Sequence, residues 1–88
     1  MDLNTILTKT PDAAYRIYDG QATIILPAQA EVKVLNELGS IVWDAIDGQR
    51  TLGAILDRLV QEFDISREQA QDDLFAFLTE LHEHGMVS

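Results

Sequence analysis

The residues of this chain that could do acid–base or metal chemistry are few and poorly grouped. His82 and His84 are two residues apart, so on a helix they point to different faces. The adjacent carboxylates Asp72 and Asp73 diverge in the same way and cannot face one substrate atom. The sequence contains no cysteine, no G-x-S-x-G motif and no phosphate-binding loop. It therefore predicts no catalytic residues, no metal site and no cofactor.

Composition narrows the possible partners. The chain has 88 residues, 47% of them hydrophobic, and a net charge of −9 from 15 acidic and 6 basic side chains. Its basic residues are scattered, so a nucleic-acid or anionic membrane surface would repel it. It has no apolar run of about 20 residues, and its start lacks the basic flank of a secretion signal. We expect a cytoplasmic protein without nucleic-acid or membrane partners.

The first half of the chain predicts an N-terminal arm and three strands. Residues 1–10 are too short to form a stable helix alone and are expected to be a flexible arm. Tyr15–Tyr18 and Gln21–Leu26 are β-prone and are joined by Asp19-Gly20, a strong tight-turn signal. Glu31–Leu35 alternates and predicts a short third strand at a sheet edge.

The second half predicts three helices with short links. Asn36 and Thr51 are suited to cap the first two helices, and Ser66 with Gln69 forms a capping box for the third. Residues 11–88 therefore form one α+β domain, in which a three-stranded antiparallel sheet precedes a three-helix bundle. The layout is winged-helix-like, although the strands come first.

The third strand is the first candidate binding site. An edge strand offers unpaired N–H and C=O groups to which an extended peptide can add. An ordinary sheet edge, on which the charges of Glu31 and Lys33 disfavour pairing with another strand, explains the same pattern. The sequence alone leaves both interpretations open.

Two aromatic residues lie beside the predicted apolar stripes. Phe75 either lines a groove for a partner, or covers the edge of the core, or packs under the N-terminal arm. Trp43 is better explained as a structural residue, because tryptophan is highly buried on average.

A DNA-binding helix-turn-helix is the main alternative, because the second and third helices have suitable lengths and a short turn. The third helix, however, is acidic, with Arg67 as its only strong cation. Phosphate contacts need Lys and Arg on that surface, so charge argues against DNA.

The chain resembles the PqqD family from about Tyr15 to Val87. The resemblance is carried by Leu35-Asn36, Gly39 to Trp43, Asp47-Gly48 and Arg50-Thr51-Leu52, followed by Asp73, Phe77-Leu78, Leu81 and Gly85-Met86-Val87. This family contains the RiPP recognition elements, which bind the leader of a ribosomally made precursor peptide.

The resemblance implies a site and a role. In the family the leader adds as a fourth strand to strand three, and its side chains enter a groove beside helix three. Carried over to this sequence, the peptide-binding residues are Glu31, Val32, Lys33, Val34 and Leu35, with Asp72, Phe75, Ala76 and Thr79 on the helix.

The expected function is a non-catalytic adaptor that presents the leader to a maturase such as a radical SAM enzyme, a cyclase or a leader peptidase. A winged-helix regulator, or a structural subunit that dimerises through the same strand edge, is the alternative.

Overall fold

The computed structural model describes the backbone of residues 1–88 and every side chain except that of Ala28. Three strands come first: β1 (Ala14–Tyr18), β2 (Gln21–Leu26) and β3 (Glu31–Val34), with one 3-10 turn at Pro27–Gln29. Three helices follow: α1 (Glu37–Ala45), α2 (Leu52–Glu62) and α3 (Arg67–Glu83). The predicted α+β architecture is confirmed.

The sheet is antiparallel, in the order β1-β2-β3, so β1 and β3 are its edges. Asp19 and Gly20 both have positive φ, 51° and 79°, as a tight two-residue hairpin turn requires. The inner face of β2, made of Ala22, Ile24 and Leu26, is buried. The alternation of this strand therefore anchors the sheet on the helices and leaves its opposite face in solvent.

All three predicted N-caps are formed. The side-chain oxygens of Asn36, Thr51 and Ser66 accept hydrogen bonds from the backbone N–H groups of Gly39, Ala54 and Gln69. The capping box at α3 is only half made, because the Gln69 side chain accepts no hydrogen bond from Ser66 N; its NH2 group donates to Asp73 at 2.8 Å. The helices thus begin where their capping residues stand.

The core lies between the inner face of the sheet and the three helices. Trp43 is fully buried, as the structural interpretation predicted, and its ring meets Tyr15 edge-on with 5.5 Å between centroids. The other fully buried large side chains of the helices and C-terminal segment are Val42, Leu52, Ile55, Leu56, Leu59, Leu74, Leu78, Leu81 and Met86. A cluster of this size gives the chain one continuous core.

The N-terminal segment 1–10 is docked beside the helices. Leu7 is buried, and its carbonyl accepts a hydrogen bond from Gly48 N at 3.1 Å. Thr8 and Ser88 exchange backbone hydrogen bonds of 2.9 and 3.0 Å. Lys9 lies over the rings of Tyr15 and Trp43, 5.0 and 5.3 Å from their centroids. The flexibility expected of this segment stays a prediction.

Candidate functional site

The open edge of β3 is the first component of the candidate site. Within the described chain, β3 pairs with β2 and with no further strand. Leu35 N donates to Ala22 O at 2.8 Å. Because ladder bonds alternate along an antiparallel pair, Lys33 and Glu31 also bond towards β2, whereas Val32 and Val34 direct their N–H and C=O groups outwards. Two residues therefore offer free backbone groups to an added strand.

The side chains of β3 divide between its two faces. Val32 and Val34 are 63% and 67% exposed on the outer face, next to Ile25 and Thr23 of β2. Glu31 and Lys33 are on the inner face with buried Ile24 and Leu26. An added peptide would divide its side chains in the same way, one set beside the valines and the other beside α3.

Two side-chain contacts connect the inner face of β3 to α3 and its C-cap residue. Lys33 forms a salt bridge with Glu80, and Glu31 contacts Nδ1 of His84. The hydrogen bond and charge of Lys33, with a smaller contribution from His84, hold the pKa of Glu80 below its ordinary value. These contacts join the edge strand to the end of the helix, and the Lys33–Glu80 pair balances one acidic charge there.

A groove runs from β3 along α3 to the start of α1. It consists of two adjoining cavities that share Asn36 and Phe77. The cavity next to β3 has a volume of about 260 Å³ and is completed by Lys33, Val34, Leu35 and Glu80. The cavity next to α1 has a volume of about 330 Å³ and is completed by Leu38, Gly39, Asp73 and Ala76. We call these two adjoining cavities together the β3–α3 groove.

Gly39 allows the aromatic ring of Phe77 to lie against α1. A Cβ atom at position 39 would stand 3.2 Å from Phe77 Cζ and 3.1 Å from Asn36 Oδ1, tighter than ordinary van der Waals contact. Gly39, in the first turn of α1, therefore has a steric role: the absence of a side chain makes room for the Phe77 ring, which lines both cavities.

Of the four α3 residues that the family resemblance assigns to peptide binding, only one lines this groove. Ala76 lines the cavity next to α1. Asp72 is exposed, and Phe75 is half-buried against the core. Thr79 lines a different cavity, beside the N-terminal segment, with Met1, Thr5, Leu7, His82 and Ser88. The structure therefore does not bring Asp72, Phe75 and Thr79 together with β3, and their binding role stays a prediction.

The α3 residues that line the groove are Asp73, Ala76, Phe77 and Glu80. Their spacing of three, four and seven residues is that of one helical face. Asp73 and Phe77 carry part of the family resemblance, but neither of them, nor Glu80, was predicted to bind peptide. The alternation of β3 could have indicated this face. It turns Lys33 towards α3, where an acidic side chain can pair with it.

No group of three or more His, Cys, Asp or Glu residues that could hold a metal ion occurs in the described part of the chain. None of the described helices has the length and apolarity needed to span a membrane.

The chain is similar to known proteins in its sequence and in its fold. The model of coenzyme PQQ synthesis protein D (PqqD) matches residues 23–87, which run from β2 to the C-terminal segment. The chain belongs to the PqqD family. No curated protein matches this PqqD-family chain significantly.

Two solved structures have the same fold as this PqqD-family protein. One is TbiB1 in complex with the TbiA(beta) leader peptide, with a TM-score of 0.86 and 17% identity over 92% of this chain and 94% of that one. The other is lasso peptide synthetase B1 complexed with the leader peptide, with a TM-score of 0.85 and 19% identity over 96% of this chain and 99% of that one.

Proposed function

We propose that this protein is a non-catalytic adaptor that binds the leader of a ribosomally synthesised precursor peptide and presents it to a modifying enzyme. The observation that carries the proposal is the free edge of β3, where Val32 and Val34 direct unpaired backbone groups outwards next to the β3–α3 groove. Main-chain hydrogen bonds to these groups give affinity, and pockets for alternate side chains give register. PqqD-family membership and two leader-bound structures of the same fold support it.

The modifying enzyme is a maturase such as a radical SAM enzyme, a cyclase or a leader peptidase, and it acts with the adaptor in the cytoplasm. The adaptor itself supplies no chemistry to the reaction. Its contribution is to hold the leader in one register, which raises the effective concentration of the precursor at the enzyme.

DNA binding is a weaker candidate on the same fold. The single strong cation of α3, Arg67, forms a salt bridge with Asp57 on α2. The carboxylates of α3 would face the phosphates if this helix entered a groove of DNA, at a high electrostatic cost. A gel shift at low salt tests this alternative, because even weak nonspecific affinity would be detected there.

Titration of the labelled protein with the leader of the precursor encoded beside it tests the proposal. We expect saturable binding, with NMR shifts in residues 31–35 and along the groove face of α3. Binding that shifts only other surfaces would contradict it. Sedimentation with and without peptide separates an adaptor from a subunit that dimerises through the β3 edge, because peptide would dissociate such a dimer.

A further inference from the structure

The cavity next to α1 combines a carboxylate, an aromatic ring and an amide oxygen. Its lining residues Asp73, Phe77 and Asn36 lie at the end of the β3–α3 groove, beyond the ionic contacts of β3. We infer that this cavity is a subsite for a basic side chain, lysine or arginine, of the bound peptide. The inference rests on the proposed function and adds to it one chemical requirement on the ligand.

Asp73 is the charged group that points to a cation. It is half-buried and accepts a hydrogen bond from the neutral amide of Gln69. Among the residues that the structure describes, it forms no salt bridge, whereas the other groove carboxylate, Glu80, is neutralised by Lys33. The unbalanced charge of the groove therefore sits on Asp73.

The other lining groups are suited to the same ligand. Phe77 follows Asp73 by four residues, which places the ring beside the carboxylate on one helical face. A guanidinium or ammonium group over an aromatic ring is attracted by its quadrupole. Asn36 Oδ1 accepts one hydrogen bond, from Gly39 N, and has a second lone pair for a donor from the ligand.

The start of α1 is the one local feature that favours an anion instead, because a helix N-terminus carries partial positive charge. Two groups offset it: the side chain of Asn36 caps the helix, and Glu37 stands in the first turn. With Asp73 at the same place and a net charge of −9 on the chain, an anionic side chain is repelled from the cavity.

A neutral apolar side chain fits this cavity less well than a basic one. A peptide lying over the groove shields Asp73 from water, and a shielded carboxylate without a cationic partner is costly. A lysine or arginine removes that cost and extends its methylene stem along Ala76 and Leu38. The subsite thus discriminates between ligands by charge.

The test does not require knowledge of the natural leader. A displayed library of random 14-residue peptides is selected for binding to the wild-type protein and to Asp73→Asn. The control is Glu68→Gln, which removes an exposed carboxylate of the same helix that does not line the cavity. In one selected peptide, arginine is then replaced by citrulline, which keeps its shape and removes its charge.

We expect the wild-type and Glu68→Gln selections to share a basic residue at one position, and the Asp73→Asn selection to lack it. Citrulline should weaken binding to the wild type and to Glu68→Gln by about 10- to 100-fold, the range of hydrogen bonds to charged groups, and to Asp73→Asn by less than about twofold. An equal citrulline effect in all three proteins overturns the subsite alone. Peptides that leave the amides of Val32 and Val34 unperturbed overturn the proposed function instead.

Discussion

Proline at position 34 tests the assignment of the free edge. Val34 directs its N–H away from β2, so Val34→Pro removes a donor that no described ladder bond uses. The domain should keep its fold, because proline is tolerated at strand edges. A leader added to β3 would instead lose one hydrogen bond and leave its own carbonyl without a donor.

The expected size of the effect follows from that lost donor. A buried acceptor without a partner costs about 1–3 kcal/mol, which is about 5- to 150-fold in the dissociation constant. Calorimetric titration with the leader measures this ratio, and thermal unfolding by circular dichroism verifies the fold.

The opposite edge supplies the matched control. Ile17 on β1 stands across from Ala22, whose carbonyl is bonded to Leu35, so Ile17 also directs its N–H to solvent, at the other edge of the sheet. Ile17→Pro should leave leader binding unchanged. Strand addition at β3 is refuted if both prolines weaken binding equally, or if Val34→Pro binds as well as the wild type.

The remaining predictions concern the groove, a buried hydroxyl and pH. Gly39→Ala should displace Phe77 and weaken leader binding, since its Cβ would lie 3.2 Å from the ring. Ala54→Gly, at an exposed position of α2 outside the groove, is the control that should leave binding unchanged. Ser40→Ala should lower the free energy of unfolding by about 1–3 kcal/mol in urea titrations, because buried Ala22 N loses its 2.7 Å acceptor; a change below about 0.5 kcal/mol would contradict this. Lys33→Met should cost about 0.2–1 kcal/mol at pH 7, as for other partly exposed pairs. Because the pKa of Glu80 is lowered in the fold, the stabilisation by Lys33 is present above the ordinary value of 4.5 and is lost as the pH falls through the lowered pKa. If the free energies of unfolding of the wild type and Lys33→Met differ by the same amount from pH 7 to pH 3, the stabilisation does not come from the ionised Glu80 carboxylate.

Much of the fold could be predicted because its signals are local. Asn36, Thr51 and Ser66 cap helices within three residues of their own position, and Asp19-Gly20 makes a turn by its own backbone preference. The link between α1 and α2 is local as well: α1 ends at Ala45, and the Asp47 carboxylate accepts hydrogen bonds from Gln49 N and Arg50 N in the turn that follows.

The groove could be predicted only in part, because it depends on which elements pack together. The alternation of Glu31, Val32, Lys33 and Val34 gave an edge strand, and the structure places it at an edge. The sequence of α3 alone does not determine which face of this helix borders β3. An apolar stripe fixes the core side, but Phe77 lies where core and groove meet, and its position depends on Gly39 of another helix.

Amide hydrogen exchange at Val32 and Val34 tests the central claim most directly. In the free protein both amides should exchange fast, since no described strand accepts from them. Saturation with the leader should slow both by about tenfold or more, while the amides of Tyr15 and Ile17 at the opposite edge stay unchanged. Protection of Val32 and Val34 already in the free protein, or no change when the leader is bound, would contradict strand addition at β3.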